Sequence, residues 1–353
     1  MTPTAPGAGS LTRTVLNSAD ALAKFSRQGL SQALPEGRLR ELFRLEYVWQ
    51  SAGVPSRYVL VLDRRGVLGV LPVYPALGRH YAGWTPQEAL GAAGPAADWQ
   101  RGVLIGSDGL AANTMAIRPD VPKVASILFK AACGLAAEYK PDFVCLPRAV
   151  GWQAEAAAYA PPAAYAEDSE AVLELTAGSF DRYVMTLPTA RRAHVRRERR
   201  LFLESPIEVR EELLDRPLVR RLAPLLHQVN AKYGVSTNPM NEWRFLDAIR
   251  HTMGDTVRAL VAYLGTAPIA FNALWEAGIE WRSRCWGCDY DRPEIREYAV
   301  YFNILIHEAA LRAAAGGGTA LWVGSGSATA KQRRGARLRP VRTLAWAATP
   351  AAR

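Results

Sequence analysis

The chain has 353 residues, 49% hydrophobic and 22% charged, an ordinary globular composition that argues against disorder and a length that suits two domains. Its net charge is +10, and four cysteines in this length give no disulfide framework. No segment reaches the roughly 18 uncharged apolar residues of a membrane span; the nearest, "VASILFKAACGLAAEY", carries Lys130 in its middle and reads as a packed helix.

The start, "MTPTAPGAGSLTRTVLNSAD", has no apolar core behind a basic head, which predicts no signal peptide and a cytoplasmic location. "RYVLVLDRRGVLGVLPVYPA" predicts a hairpin turning at Arg64–Arg65–Gly66, from its β-branched and aliphatic runs. In "VPKVASILFKAACGLAAEYKPDFVCLPR" apolar residues recur at helical spacing until Pro141 stops them, and "DFVCL" follows as a short buried strand. "VGWQAEAAAYAPPAAYAEDSE", rich in Ala and Pro, reads as a linker.

Next comes "TARRAHVRRERRLFLES". Thr189 after Pro188 is a fair N-cap, and nothing from Ala190 to Glu204 breaks a helix. Ala193, Val195, Leu201 and Phe202 make only a thin apolar seam, so most of this helix is expected to face water or a ligand. "TVRALVAYLGTAPIAFNALWEAGIEWRSRCWGC" then predicts two or three strands, with turns at Gly265–Thr266 and Ala277–Gly278. "AVYFNILIHEAALRAAAGGGTALWVGSGS" predicts a helix ended by a triple glycine and the strand "ALWV". The order hairpin, helix, strand therefore occurs twice, in pattern and not in identity.

The charge is unevenly placed. Arg191 to Arg200 holds six arginines and one glutamate, +5; Thr319 to Arg353 holds seven basic residues and no acid, +7; the remaining chain sums to −2. Such clustering is the footprint of a polyanion site. A GC-rich coding bias accounts for 37 arginines against 6 lysines, but not for where they gather.

The hairpin–helix–strand order, twice over, resembles the GNAT acyltransferase core in tandem, as in Fem-type peptidyltransferases and their natural-product relatives. The second half carries the resemblance: "SRCWGCDYD", the tyrosine-bearing helix "EYAVYFNILIHEAALRAAAGG", the strand "ALWVGSGS" and the Lys-x-x-x-Gly turn "KQRRG", with "FDRYVMTLPTARRAHVRRERR" like the opening of the second lobe. It implies an α/β (α+β) fold of two tandem GNAT-like domains, residues 1–165 and 166–353, each a mixed, mostly antiparallel sheet flanked by helices. It also implies amide-bond formation on an amine, with aminoacyl-tRNA or acyl-CoA as donor.

Acyl-CoA users of this fold hold the pyrophosphate on Arg/Gln-x-x-Gly-x-Gly/Ala at a helix start. Here Arg333 and Arg334 lie too close to Gly335, and Pro340 stops any long helix, which favours aminoacyl-tRNA. No other cofactor and no metal is expected, and the acceptor is a small peptide-like or cell-wall-precursor amine. Lys331, on the family's Lys-x-x-x-Gly turn, is the expected catalytic residue, its ammonium holding an acceptor carboxylate or the tetrahedral oxyanion. The family usually has an aromatic residue before that glycine; Arg334 stands there and is a second cation for a phosphate or carboxylate. Trp286, Tyr298, Tyr301 and Asn303 are candidate substrate contacts, with packing as the alternative.

Arg191, Arg192, Arg196, Arg197, Arg199 and Arg200 are the candidate tRNA-backbone contacts, with a solvated basic helix as the alternative. The helix lacks the broad apolar face of a membrane-surface helix. A non-catalytic nucleic-acid-binding protein on the same scaffold is a third possibility. "CWGC" has the spacing of half a metal site, but side chains three apart on a strand point to opposite faces. His194, His227, His251 and His307 are scattered, and a packed or capped role suits His307 better than a general base.

Overall fold

A computed structural model describes residues 11–18, 21, 57–64, 66–75, 102–106, 116–117, 124–149, 164–175, 180–234, 238–277 and 279–347. The chain forms two compact units, one of residues 1–39, 49–166 and 342–353, the other of 40–48 and 167–341. No described helix is long and apolar enough to cross a membrane.

In the first unit β1 (Thr12–Leu16), β2 (Arg57–Asp63) and β3 (Gly66–Pro75) pair antiparallel, with β2 and β3 forming the expected hairpin; Arg65 of its turn lies outside the described residues. β4 (Gly102–Ile105) continues the sheet from β3, and the short β5 (Ala116–Ile117) also pairs with β3. Helix α1 (Val124–Ala137) turns Val124, Leu128, Phe129, Ala132, Leu135 and Ala136 inward at helical spacing. β6 (Phe143–Ala149) is the "DFVCL" strand and runs parallel to β4. Gly102 sits opposite Phe143, whose ring comes within 2.2 Å of where a Cβ would stand.

β7 (Ala164–Glu174) occupies part of the stretch that composition marked as a linker, of which residues 150–163 lie outside the described residues. The sequence of β7, "AYAEDSEAVLE", carries no period-2 alternation, and Glu170 to Leu173 are buried as a block where the strand pairs with β12.

The second unit orders its strands β8-β9-β10-β11-β12-β7. After α2 (Phe180–Thr186) and the basic helix α3 (Thr189–Leu203) come β8 (Ile207–Leu213), α4 (Arg216–Lys232) and α5 (Pro239–Met253). Asp215 and Asn238 cap α4 and α5, accepting from Leu218 N (2.8 Å) and Asn241 N (2.9 Å). Thr189 is not the cap of α3. Pro188, at φ −54° and ψ 141°, holds that place, because a proline's fixed φ suits the extended N-cap backbone, and Thr189 is the first helical residue.

β9 (Val257–Leu264), β10 (Ala267–Ala277) and β11 (Glu280–Cys288) form an antiparallel meander that turns at Gly265–Thr266; Gly278 of the next turn lies outside the described residues. A helical turn at Glu294–Glu297 leads into α6, residues 300–315, interrupted by a π-helical stretch over Asn303–Glu308. Gly317 at φ 78° ends it as a left-handed C-terminal glycine, and Trp281 lies 2.5 Å from a Cβ position at Gly316 and 2.4 Å from one at Gly318. The triple glycine thus both stops the helix and admits the indole. β12 (Ala320–Trp322), α7 (Ala328–Gln332) and β13 (Arg337–Ala347) follow; from Arg342 on, β13 belongs to the first unit and pairs antiparallel with β6.

Candidate functional site

The second unit's parallel pair opens like a V. β11 and β12 match only at Glu280↔Ala320, Trp281↔Leu321 and Arg282↔Trp322. Beyond Trp322 the chain stays with β7, through Val323 N to Ala171 O (2.9 Å) and Ala171 N to Gly324 O (3.2 Å), while β11 runs on to Cys288. Backbone groups at such a divergence lack the ladder partners of an intact parallel pair, the arrangement that lets a strand edge hold a ligand.

β11 bulges at the opening. Phe271 faces Gly287 and Ala273 faces Arg284, so one extra residue is inserted on β11, and Cys285 takes φ 59°. A Cβ on Gly287 would meet the Phe271 ring at 2.3 Å and Leu226 N at 2.8 Å, so only glycine fits there. The bulge also breaks the regular alternation on which the opposite-face argument for Cys285 and Cys288 relied. Both thiols are free, and burial pushes that of Cys288 up to about 11. No group of three metal-binding side chains occurs among the described residues.

Helix α6 packs against β11 at this opening. Ala299, left-handed at φ 49°, ends the preceding turn, and Asn303 donates to its carbonyl at 3.1 Å. The π-helical register shifts the carbonyl ladder, and Ser283 of β11 donates to Leu305 O at 3.0 Å while accepting from Asn272 Nδ2 at 2.8 Å. Trp286 packs edge-on against Tyr301, ring centroids 5.1 Å apart, and Tyr301 does the same to Phe302 at 4.9 Å. Burial raises the Tyr301 hydroxyl to about 12, against the opposing hydrogen bond with Ser327. Tyr298 is half-buried beside the same core and lends its carbonyl to Asn303 through a long 3.5 Å contact.

The turn after β12 brings Lys331 in. Its ammonium is buried and donates to Val323 O (2.5 Å) and Gly324 O (3.0 Å), the two carbonyls at the end of the short strand. Arg334, three residues on, is 3% exposed. Its Nε and Nη2 both donate to the Glu198 carboxylate, Nε at 3.0 Å, its Nη1 donates to Ala330 O at 2.7 Å, and its guanidinium carbon lies 3.1 Å from the Phe302 ring centroid. Tyr183 donates to the Arg334 carbonyl, and burial raises its hydroxyl pKa.

The basic helix has two faces. Val195, Glu198 and Phe202 point inward at helical spacing, so the one acid of the arginine cluster sits in the seam. Arg199 pairs with Glu308 at 2.6 Å and reaches Asn303 at 3.4 Å; Arg192 donates to Leu187 O and Met185 O; Arg191 donates to Gln332 O at 2.7 Å. Arg196, Arg197 and Arg200 are exposed and make no side-chain bond among the described residues. Of the six arginines, three are therefore part of the scaffold and three face outward.

In the structure Arg334 packs on Phe302, Phe302 on Tyr301 and Tyr301 on Trp286, with Asn303 and Tyr298 on the same helical stretch and Lys331 three residues before Arg334. No protein-family model matches this chain, and no curated protein matches it in sequence. Among solved structures, FemX shares 10% identity over 91% of this chain and 95% of its own, with a TM-score of 0.60. A tandem GNAT protein from the clavulanic acid biosynthesis pathway shares 11% over 97% and 100%, TM-score 0.55. A conserved protein of unknown function from Bacteroides thetaiotaomicron shares 11% over 92% and 95%, TM-score 0.53.

The chain has the fold of FemX and of tandem GNAT proteins. Four further side chains, Glu198, Glu308, Phe180 and His307, pack around the candidate residues; all lie within the sequence motifs but are assigned no part in the site by them. His307 is 1% exposed on the π-helical stretch, edge-on to Phe180 at 5.3 Å and near Tyr183 at 5.8 Å. Burial, then Arg199 and Arg334, hold its imidazole down to about 3, so it is neutral at pH 7. Beside the Lys331 turn, Tyr183, Leu187, Arg191, Gln332 and Arg337 line a cavity of about 270 Å³.

Proposed function

We propose that this chain forms an amide bond, moving an aminoacyl group from aminoacyl-tRNA to the amine of a small peptide-like or cell-wall-precursor acceptor, in the second of two domains divided near residue 165. One observation carries the reading: Arg196, Arg197 and Arg200 point outward from a helix whose inner face is bonded to the turn holding Lys331. A phosphate backbone held on that helix would lie near the Lys331 turn, to which the helix is bonded through Glu198 and Arg191.

An aminoacyl ester is already activated, so alignment and charge stabilisation suffice. The acceptor nitrogen forms the new C–N bond, the ester C–O bond to ribose breaks, and the proton lost by the amine ends on the ribose oxygen. Lys331 supplies the positive charge beside the developing oxyanion. Trp286, Tyr298, Tyr301 and Asn303 shape the acceptor's place. Arg334 keeps the turn in register, a different task from the phosphate or carboxylate contact that sequence alone suggests, because its guanidinium is already shared between Glu198 and Ala330.

An acyl-CoA donor is the second reading, favoured by the likeness to the tandem GNAT protein, a structure solved without AcCoA. The helix after β12 is only five residues here, a poor cradle for a pyrophosphate. Total-tRNA binding decides between them: affinity is expected to fall by orders of magnitude between about 50 and about 200 mM salt. Weak, salt-insensitive binding overturns the tRNA reading, and thiol release from acyl-CoAs then supports the second. Tight binding with no transfer from any charged tRNA points to a non-catalytic binding protein.

A further inference from the structure

We propose that Glu198 is a positioning residue that ties the basic helix to the Lys331 turn, and so sets the distance between a polyanion on that helix and the reacting centre. The polyanion's identity rests on the aminoacyl-tRNA reading; the tie itself rests on the bonds.

Glu198 has the wrong address for a surface counterion. It lies between Val195 and Phe202 on the buried seam of the helix, where a leucine would pack. There its two oxygens accept from two nitrogens of Arg334, in a fork geometry that fixes orientation as well as distance. Arg334 passes the constraint on. Its amide donates to Lys331 O (2.9 Å), its side chain holds Ala330 O, and its carbonyl accepts from Tyr183. Lys331 is thereby held with its ammonium on the carbonyls of Val323 and Gly324. One further bond repeats the connection, Arg191 to Gln332 O, while Arg199 to Glu308 ties the same helix to α6.

A buried ion pair of this kind is a poor way to gain stability, since an apolar pair of the same volume does as well. What it adds is a single geometry. The same helix offers Arg196, Arg197 and Arg200 outward, so one rigid element carries the contact face and the tie on opposite sides.

The test labels the full-length protein with an amine-reactive reagent and follows each lysine by peptide mass spectrometry. Lys331 is expected to label slowly in the wild type and about tenfold faster in Glu198→Gln, through local opening of its turn. Exposed Lys130 and Lys140 serve as references and keep their rates. Because Glu198→Gln also loosens the core, a second variant, Glu198→Met with Arg334→Leu, restores apolar packing. If it recovers the thermal midpoint yet leaves Lys331 fast, Glu198 positions the turn. If Lys331 is slow again, or was never faster in Glu198→Gln, the proposal falls. Total tRNA is titrated against the same samples, with affinity expected to change by less than about twofold in Glu198→Gln, since the outward arginines remain. Wild-type protein that binds no tRNA sinks the tRNA reading and leaves the tie to be judged by Lys331 alone.

Discussion

The two units share an order of hairpin, helix and strand, and they bury different things. Around α1 the first unit packs Val59, Leu71, Val103, Leu128, Phe129 and Leu146, with Trp346 edge-on to Phe129 at 5.3 Å. Twelve polar residues are buried among those described, and only Thr343 belongs to this unit. The other eleven, including Glu198, Arg282, Asn303, His307, Lys331 and Arg334, lie in the second unit. A fold that can be held together by apolar packing alone has, in its second copy, accepted charged and polar groups that cost stability. Such groups persist where they do chemistry or fix a geometry.

The largest expected effect separates the two kinds of core. Arg334→Ala leaves the buried Glu198 carboxylate with only the exposed His194, whose Nε2 lies 3.1 Å from it, and chemical denaturation should show a loss of about 3 kcal/mol. A loss below about 1 kcal/mol would mean that the carboxylate simply turns outward to water.

In the first unit the corresponding weak point is steric. Gly102→Ala drives a methyl into the Phe143 ring and should cost about 1–3 kcal/mol by overpacking. tRNA affinity, measured on the folded variant, is expected to stay at the wild-type value. A fall in affinity would place the first unit in the binding surface and blur the contrast.

The regular elements were legible because they follow hydrophobic period. The "RYVLVLD" hairpin, the 124–137 helix and the strands from Val257 to Cys288 all stand where alternation or helical spacing puts them. Lys331, Arg334, Trp286, Tyr298 and Tyr301 were singled out through the order of motifs, but the bonds and ring contacts each makes were not legible there. Glu198 reads in sequence as one acid diluting six arginines. Only its place in the Val195–Glu198–Phe202 spacing hinted that it points inward, and its partner lies 136 residues away. The β11 bulge and the π-helical stretch left no periodic signal, since both depend on what packs across them: Phe271 over Gly287 in one, Ser283 on Leu305 O in the other. The strand over Ala164–Glu174 escaped notice because it lacks alternation and is held by its pairing with β12, which the local sequence does not show.

His307 gives the second unit a pH dependence that the first unit's apolar core lacks. Tyr183 and Phe180 of α2, Arg199 of α3 and Arg334 after α7 face it. Its folded pKa lies at about 3, against 6.5 for the ordinary imidazole. Between those values the unfolded chain binds a proton that the folded one refuses. Stability should therefore fall as pH drops below 6.5, by at most about 1.4 kcal/mol per unit, and be level above it. Denaturant midpoints at several pH values between 4.5 and 8 check this against His307→Phe, in which that share of the slope should vanish. An unchanged slope in the variant would assign the effect to carboxylates.

The smallest effect on stability is expected where the effect on binding is greatest. Arg196, Arg197 and Arg200 are exposed and bonded to nothing described, so replacing all three by alanine should move the unfolding free energy by no more than about 0.5 kcal/mol. Alanine is also the better helix former, which offsets any reduction in side-chain packing. For every phosphate that these arginines neutralise, the substitution should nevertheless flatten the salt dependence of tRNA binding by about 0.7 to 0.9 in the log–log slope. Arg192 and Arg199 behave differently: they hold carbonyls and Glu308, so their removal should cost stability as well as any affinity. If the exposed trio changes neither slope nor affinity while the bonded pair lowers stability, the helix is a structural strut. The clustered charge would then answer to the interior of the second unit and not to a polyanion outside it.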